Sequence, residues 1–160
     1  MMNDSMQNKL TVLKKLAHRL NEEGITWALG ASMLLYFKGV VPDFHDIDLM
    51  IINEDADCVK TIFSEMGELQ PPNPNDKYQT KTFLEFIIDG VDVDVMAGFA
   101  IVKDGAVIDC SLQRDQITEI MDLDGEHIPL QSLTLWSRYY DLMGRSAKSA
   151  LIEQYLNKQI

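Results

Sequence analysis

Basic residues are scarce in this chain: 14 Lys and Arg stand against 25 Asp and Glu, for a net charge of −11. Affinity for DNA or RNA comes largely from neutralised phosphates, so this balance speaks against broad contact with a long nucleic acid. It speaks equally against an anionic membrane surface. No apolar run approaches the roughly 18 residues of a membrane helix, and the first residues, MMNDSMQNKLTVLKKL, lack the charged-then-apolar layout of a secretory signal. Cysteine is nearly absent. Cys58 and Cys110 are far apart and make no C-x-x-C pair, which points to two buried free thiols in a reducing cytoplasm. His18, His45 and His127 are scattered, without zinc-ligand spacing. What the acidic balance leaves open is nucleotide binding, provided a divalent metal stands between carboxylates and phosphates.

At 160 residues and 46% hydrophobic, the chain suits one globular domain over 1–160, with a helical C-terminal segment over 132–158. No repeat or low-complexity tract interrupts it. The spacing of Leu10, Leu13, Leu16, Ala17 and Leu20 predicts a helix from Ser5 to Glu23, stopped by Gly24. Ile25–Leu29 reads as a buried strand and Met33–Phe37 as a short helix. Asp46–Ile52 reads as a strand running into the core and Glu54–Met66 as an amphipathic helix. Pro71–Asp76 must be a loop, since three of its residues are proline. Three Asp-Gly pairs, at 89–90, 104–105 and 124–125, predict hairpins: the first joins strands over 78–88 and 91–99, the others lie around 100–110 and 116–130. Helices are expected at Leu133–Met143 and Ala147–Asn157. The resulting class is α/β or α+β, a mixed sheet flanked by helices.

Two acidic pairs carry the chemical signal. In His45-Asp46-Ile47-Asp48-Leu49, Asp46 and Asp48 share one strand face, with Cα atoms about 6.6 Å apart. Anions flanked by Ile47, Leu49, Met50, Ile51 and Ile52 repel one another and lose solvent unless a cation holds them, and Mg²⁺ with its oxygen ligands fits. One D-x-D alone is also what a solvated strand face presents. Val91-Asp92-Val93-Asp94-Val95 repeats the alternation on a second strand. If the strands are neighbours, three acids could hold two Mg²⁺ ions about 3.5–4 Å apart and clamp a phosphoryl group in transfer. Gly30-Ala31-Ser32 sits where a strand turns into a helix; backbone N–H groups and the Ser32 hydroxyl there suit phosphate, and glycine permits the turn and a close approach.

Together these segments resemble the nucleotidyltransferase superfamily, which includes the DNA polymerase β catalytic core and small antibiotic-modifying enzymes. LGASMLLYFKGVVPDFHDIDLMI supplies a glycine–serine turn followed by h-D-x-D-h, and DGVDVDVMAGF supplies a later acidic strand. The resemblance implies metal ligation by Asp46 and Asp48, with Asp94 as third acid and Asp92 one register step away. It implies phosphate binding by Gly30, Ala31 and Ser32. The implied activity is Mg²⁺-dependent transfer of NMP from an NTP to a hydroxyl acceptor. A small molecule such as a cationic antibiotic fits an acidic cleft. A protein acceptor, an inactive nucleotide- or partner-binding module, and self-association are the alternatives. Ala31 replaces a frequent glycine, and His45 stands where Ser or Thr is common. Gly144, Arg145 and Lys148 loosely match a G-R-x-K-D stretch of the family. Lys77, Lys81 and Glu85 are weaker candidates, and Trp27 and Trp136 read as core, with Trp136 able to line an acceptor pocket.

Overall fold

A computed structural model of the chain describes residues 4–73 and 78–158. Helix α1 (Asp4–Glu22) buries Val12, Leu13, Leu16, Ala17 and Leu20 along one stripe. It closes at Gly24, whose φ of 70° lets the Ile25 N–H turn back to the Leu20 carbonyl. Strand β1 (Trp27–Gly30) runs directly into α2 (Ala31–Phe37), and a loop leads to β2 (Ile47–Ile51). A 3-10 turn at Asn53–Asp55 precedes α3 (Ala56–Met66) and the two-residue strand β3 (Glu68–Leu69). Then come β4 (Thr82–Ile88), β5 (Val91–Ala97), β6 (Ala100–Lys103) and β7 (Ala106–Asp109). After a second 3-10 turn at Arg114–Gln116, β8 (Glu119–Leu123), β9 (Glu126–Leu130), α4 (Leu133–Leu142) and α5 (Ser146–Lys158) complete the order.

Seven strands form one mixed sheet in the order β3-β4-β5-β2-β1-β9-β8, while β6 and β7 form a separate two-stranded sheet. The central strands β2 and β5 are parallel, β1 is antiparallel to β2, and β4 is antiparallel to β5. Alternation sorts the two faces of β5: Val91, Val93 and Val95 are buried, whereas Asp92 is exposed and Asp94 half-buried. Leu84, Phe86 and Ile88 of β4 are buried in the same way, and the Phe86 ring meets Phe63 of α3 edge-on at 5.7 Å. Helices α1 and α3 thus cover the apolar face, and the opposite face is left to carry the acids.

All three Asp-Gly turns take the expected form. Asp89, Asp104 and Asp124 have φ of 51–52°, and each following glycine has φ of 78–90°, the double positive φ that a type I′ hairpin needs. Other expectations shift. The strand expected from Tyr78 begins at Thr82, and Tyr78 keeps only an isolated bridge to Ile101. The pair β6–β7 stands apart from the main sheet. Both cysteines are free, but Cys58 is exposed rather than buried, because it lies on the polar side of α3; Cys110 is buried. Pro74–Asp76 and Lys77 lie outside the described residues.

Candidate active site

Register builds the site. Gly30 of β1 is the cross-strand partner of Asp48 in β2, Asp48 pairs with Asp94 in β5, and Asp94 pairs with Glu85 in β4. Cross-strand partners point to one face, so Glu85, Asp94 and Asp48 form a row of carboxylates that ends at a glycine. Asp46 immediately precedes β2, two residues from Asp48, and is half-buried. Asp94 therefore faces Asp48 directly, while Asp92 is exposed and acts on Asp46.

This crowding is electrostatically unfavourable. Burial, reinforced by the charges of Asp94 and Asp46, pushes the Asp48 carboxyl well above its ordinary range. Burial and the charges of Asp46, Glu85 and Asp92 push Asp94 up to about 7. A hydrogen bond joins the two carboxyls and favours the proton on Asp48. Asp46 is raised by burial and by Asp92, against the opposing charges of Lys9 and His45. Among the described residues, no three His, Cys, Asp or Glu side chains are drawn close enough to ligate one ion in this arrangement. The four acids share a face as one opposed pair with a flanking acid at each side.

The expected phosphate turn is built differently from its sequence reading. Gly30 is extended (φ −130°, ψ −169°), a conformation open to any residue. A side chain at Gly30 would strike the Trp136 indole, with Cζ2 only 2.4 Å from the added Cβ. Glycine is needed there for packing. The left-handed residue is Ala31, with φ of 54°, where an L side chain costs about 1–2 kcal/mol. The Ser32 Oγ accepts the backbone N–H of His45 at 3.2 Å, which ties this turn to the loop that delivers Asp46. Nearby, Lys9 Nζ donates to the Phe44 carbonyl at 3.5 Å.

A cavity of about 240 Å³ opens beside the acid row, with Asp48, Asp94 and Ala31 in its lining. Phe83 and Met96 form one side, and Tyr78, Tyr140, Met143 and Arg145 another. Arg145 is exposed and stacks on the Tyr140 ring at 5.2 Å, while the Tyr78 hydroxyl donates to the Met143 Sδ at 3.1 Å. The Arg145 charge acts on Asp48 and holds down both tyrosines, whose hydroxyls burial raises. The sequence pattern singles out neither Tyr78 nor Tyr140 for the site. Only the loose G-R-x-K-D match signalled the segment of Arg145. Lys148, Gly30, Ser32 and Asp46 do not line the cavity, and Lys81 lines a different cleft. Trp136, 2% exposed, forms the cavity's inner wall as part of the core.

No protein-family model matches the sequence, and no curated protein matches it significantly. Solved structures do match. TM1012 from Thermotoga maritima, a provisionally named nucleotidyltransferase, is 28% identical with a TM-score of 0.74, over 95% of this chain and 94% of that one. ANT(2″)-Ia in complex with adenylyl-2″-tobramycin is 16% identical with a TM-score of 0.64, over 93% and 90% of the two chains. The lincomycin-bound lincosamide adenylyltransferase LnuA is 11% identical with a TM-score of 0.60, over 88% and 94%. This structural likeness, carried by the mixed sheet and its flanking helices, gives the chain the minimal nucleotidyltransferase fold.

Proposed function

We propose that this protein is a metal-dependent nucleotidyltransferase that moves a nucleoside monophosphate from an NTP to a hydroxyl on a small-molecule acceptor. The observation that carries this reading is the opposed pair Asp48–Asp94, flanked by Asp46 and Glu85, at the edge of a cavity that also holds Arg145. The donor set is all oxygen, which suits Mg²⁺. The raised carboxyls of Asp48 and Asp94 mark a repulsion that a divalent cation relieves. Asp46, Asp48 and Asp94 are the residues that would hold it, as one ion or two. When bound, the metal neutralises triphosphate charge and the charge that develops on leaving pyrophosphate.

The remaining work falls to the chain's own groups. Arg145 presents a guanidinium from the opposite side of the cavity, suited to phosphate oxygens. Ser32, whose oxygen already accepts the His45 N–H, keeps its own proton to donate to phosphate, beside the backbone N–H groups of the turn at Gly30 and Ala31. The acceptor oxygen bonds to the α-phosphorus, the bond to the β-phosphate oxygen breaks, and pyrophosphate departs. Asp94, opposite Asp48 and in the cavity lining, is placed to take the hydroxyl proton. Little covalent work is asked of the protein, so positioning and charge compensation supply the acceleration. The acceptor class is supported by ANT(2″)-Ia with its adenylylated tobramycin and LnuA with lincomycin, and a net charge of −11 favours a cationic molecule. Free thiols and this chemistry suit the cytoplasm.

The test is incubation with each α-labelled NTP, Mg²⁺ and a panel of hydroxyl-bearing small molecules. Label transfer with pyrophosphate release is the expected result. Mg²⁺-dependent NTP binding with no transfer to any acceptor identifies an inactive nucleotide-binding module. Label on protein identifies a protein-modifying enzyme. Absence of Mg²⁺-dependent NTP binding removes the proposal altogether.

A further inference from the structure

One buried polar side chain stands directly behind the acid row. Gln131 lies between β9 and Ser132, the N-cap of α4, and is 2% exposed. Its Oε1 accepts the Trp136 Nε1–H at 2.8 Å, its backbone N–H donates to the Leu29 carbonyl at 3.4 Å, and its Nε2 reaches the Gln116 Oε1 at 3.5 Å. It therefore fastens an indole to the end of β1. That indole lies on Gly30, so closely that no Cβ fits between them, and Gly30 is the cross-strand partner of Asp48. The remaining contacts of the indole are apolar. It stacks on Phe99 at 6.3 Å, meets Tyr139 edge-on at 5.2 Å and lies 5.5 Å from Tyr140, contacts that leave the buried indole N–H without a hydrogen-bond partner unless the amide supplies one. Core filling does not require glutamine at this point: a buried amide is expensive unless its bonds are made. A directional bond to the indole nitrogen is what glutamine adds.

We propose that Gln131 is a positioning residue: by holding Trp136 against Gly30 and in the cavity wall, it fixes the end of β1 that pairs with Asp48. This rests on the nucleotidyltransferase reading above. Gln131 touches neither the cavity nor any reacting group, and its effect passes through the indole. Removing the bond lets the indole shift against Gly30 and along the cavity wall it forms, so Asp48 and the pocket beside it lose their placement. Misplacement of this kind costs ligand affinity far more than its small structural change suggests.

The experiment uses the full chain and Mn²⁺–ATP as the probe, with free Mn²⁺ counted by electron paramagnetic resonance well below every melting temperature. Gln131→Leu is expected to weaken Mn²⁺–ATP binding about tenfold, and Gln131→Glu, which keeps an oxygen at the same reach, is expected to restore most of it. In a Trp136→Phe background, which lacks the indole N–H, Gln131→Leu is expected to cost little more, the signature of a shared interaction. Binding by Gln131→Leu within twofold of wild type, while its melting temperature falls, makes the residue structural only and overturns the proposal. Equal losses in both backgrounds overturn the route through the indole. Should Gln131→Leu fail to fold, Gln131→Glu and Trp136→Phe decide: strong binding by the first and weak by the second supports the proposal, and equal binding refutes it. If wild type binds no Mn²⁺–ATP, the nucleotidyltransferase reading itself has failed.

Discussion

The two ends of the central strands make opposite use of charge. At one end lies an open cleft of about 800 Å³ lined by Thr26, Asn53, Asp55, Lys81, Asp109 and Arg114. Its polar groups find partners: Arg114 donates to the Thr26 hydroxyl, Asp55 accepts the Thr26 N–H at 3.2 Å, and Ser111 holds Asp109 below its ordinary range. At the other end a cavity of less than half that volume holds Asp48 and Asp94, both raised by burial and by the neighbouring carboxylates. Volume alone points to the first end, charge to the second. Uncompensated like charge, kept at a cost to the fold, marks where a ligand cation is expected.

That contrast is open to direct attack. Asp48→Asn and Asp94→Asn should each reduce NTP-dependent transfer by about 100-fold or more, the scale for losing a transition-state charge partner, while Asp109→Asn leaves it unchanged; comparative rate assays decide. Arg145→Ala should weaken NTP binding by roughly 1.5–3 kcal/mol, as for a charge-assisted hydrogen bond, and Arg114→Ala at the larger cleft should not; calorimetric titration separates them.

Stability should show the same asymmetry. For Asp94 the folded carboxyl, near 7, lies above its unfolded value of 3.8, so the native state holds the proton more tightly. Its favourable contribution is complete at low pH and is lost as pH rises between those two values. Without metal, the protein should therefore melt lower at pH 8 than at pH 5.5, and both Mg²⁺ and Asp48→Asn should recover melting temperature at pH 8. A melting temperature insensitive to pH, metal and Asp48→Asn would show that the acids are not strained. The smallest effect is at the turn. Ala31→Gly relieves a left-handed alanine worth about 1 kcal/mol, a gain of about 2–4 °C in thermal melting.

Much of this was legible locally. The Asp-Gly hairpins follow from the φ each turn needs, α1 from the spacing of its leucines, and the two faces of β5 from strand alternation. The Gly30 turn was located correctly but explained wrongly, since its glycine answers to Trp136, a residue far along the chain. The place of Tyr78 in the cavity was hidden for the same reason, and that of Arg145 was signalled only by the loose family match. Nothing near Arg145 in sequence distinguishes a guanidinium aimed at a carboxylate pair from one that ends a helix, and Tyr78 sits beside a proline loop with no periodic pattern.

Short-range order was thus set by the sequence alone, because turn dihedrals and the two- and 3.6-residue periods depend on adjacent residues. Strand order was a tertiary decision. Whether Asp94 or Asp92 meets Asp48, and whether Trp136 rests on Gly30, depends on which strands pair and in what register. A one-residue slip would turn every side chain of the strand to the other face. Packing of the valine face under α1, with α3 over the neighbouring β4, helps to fix that choice.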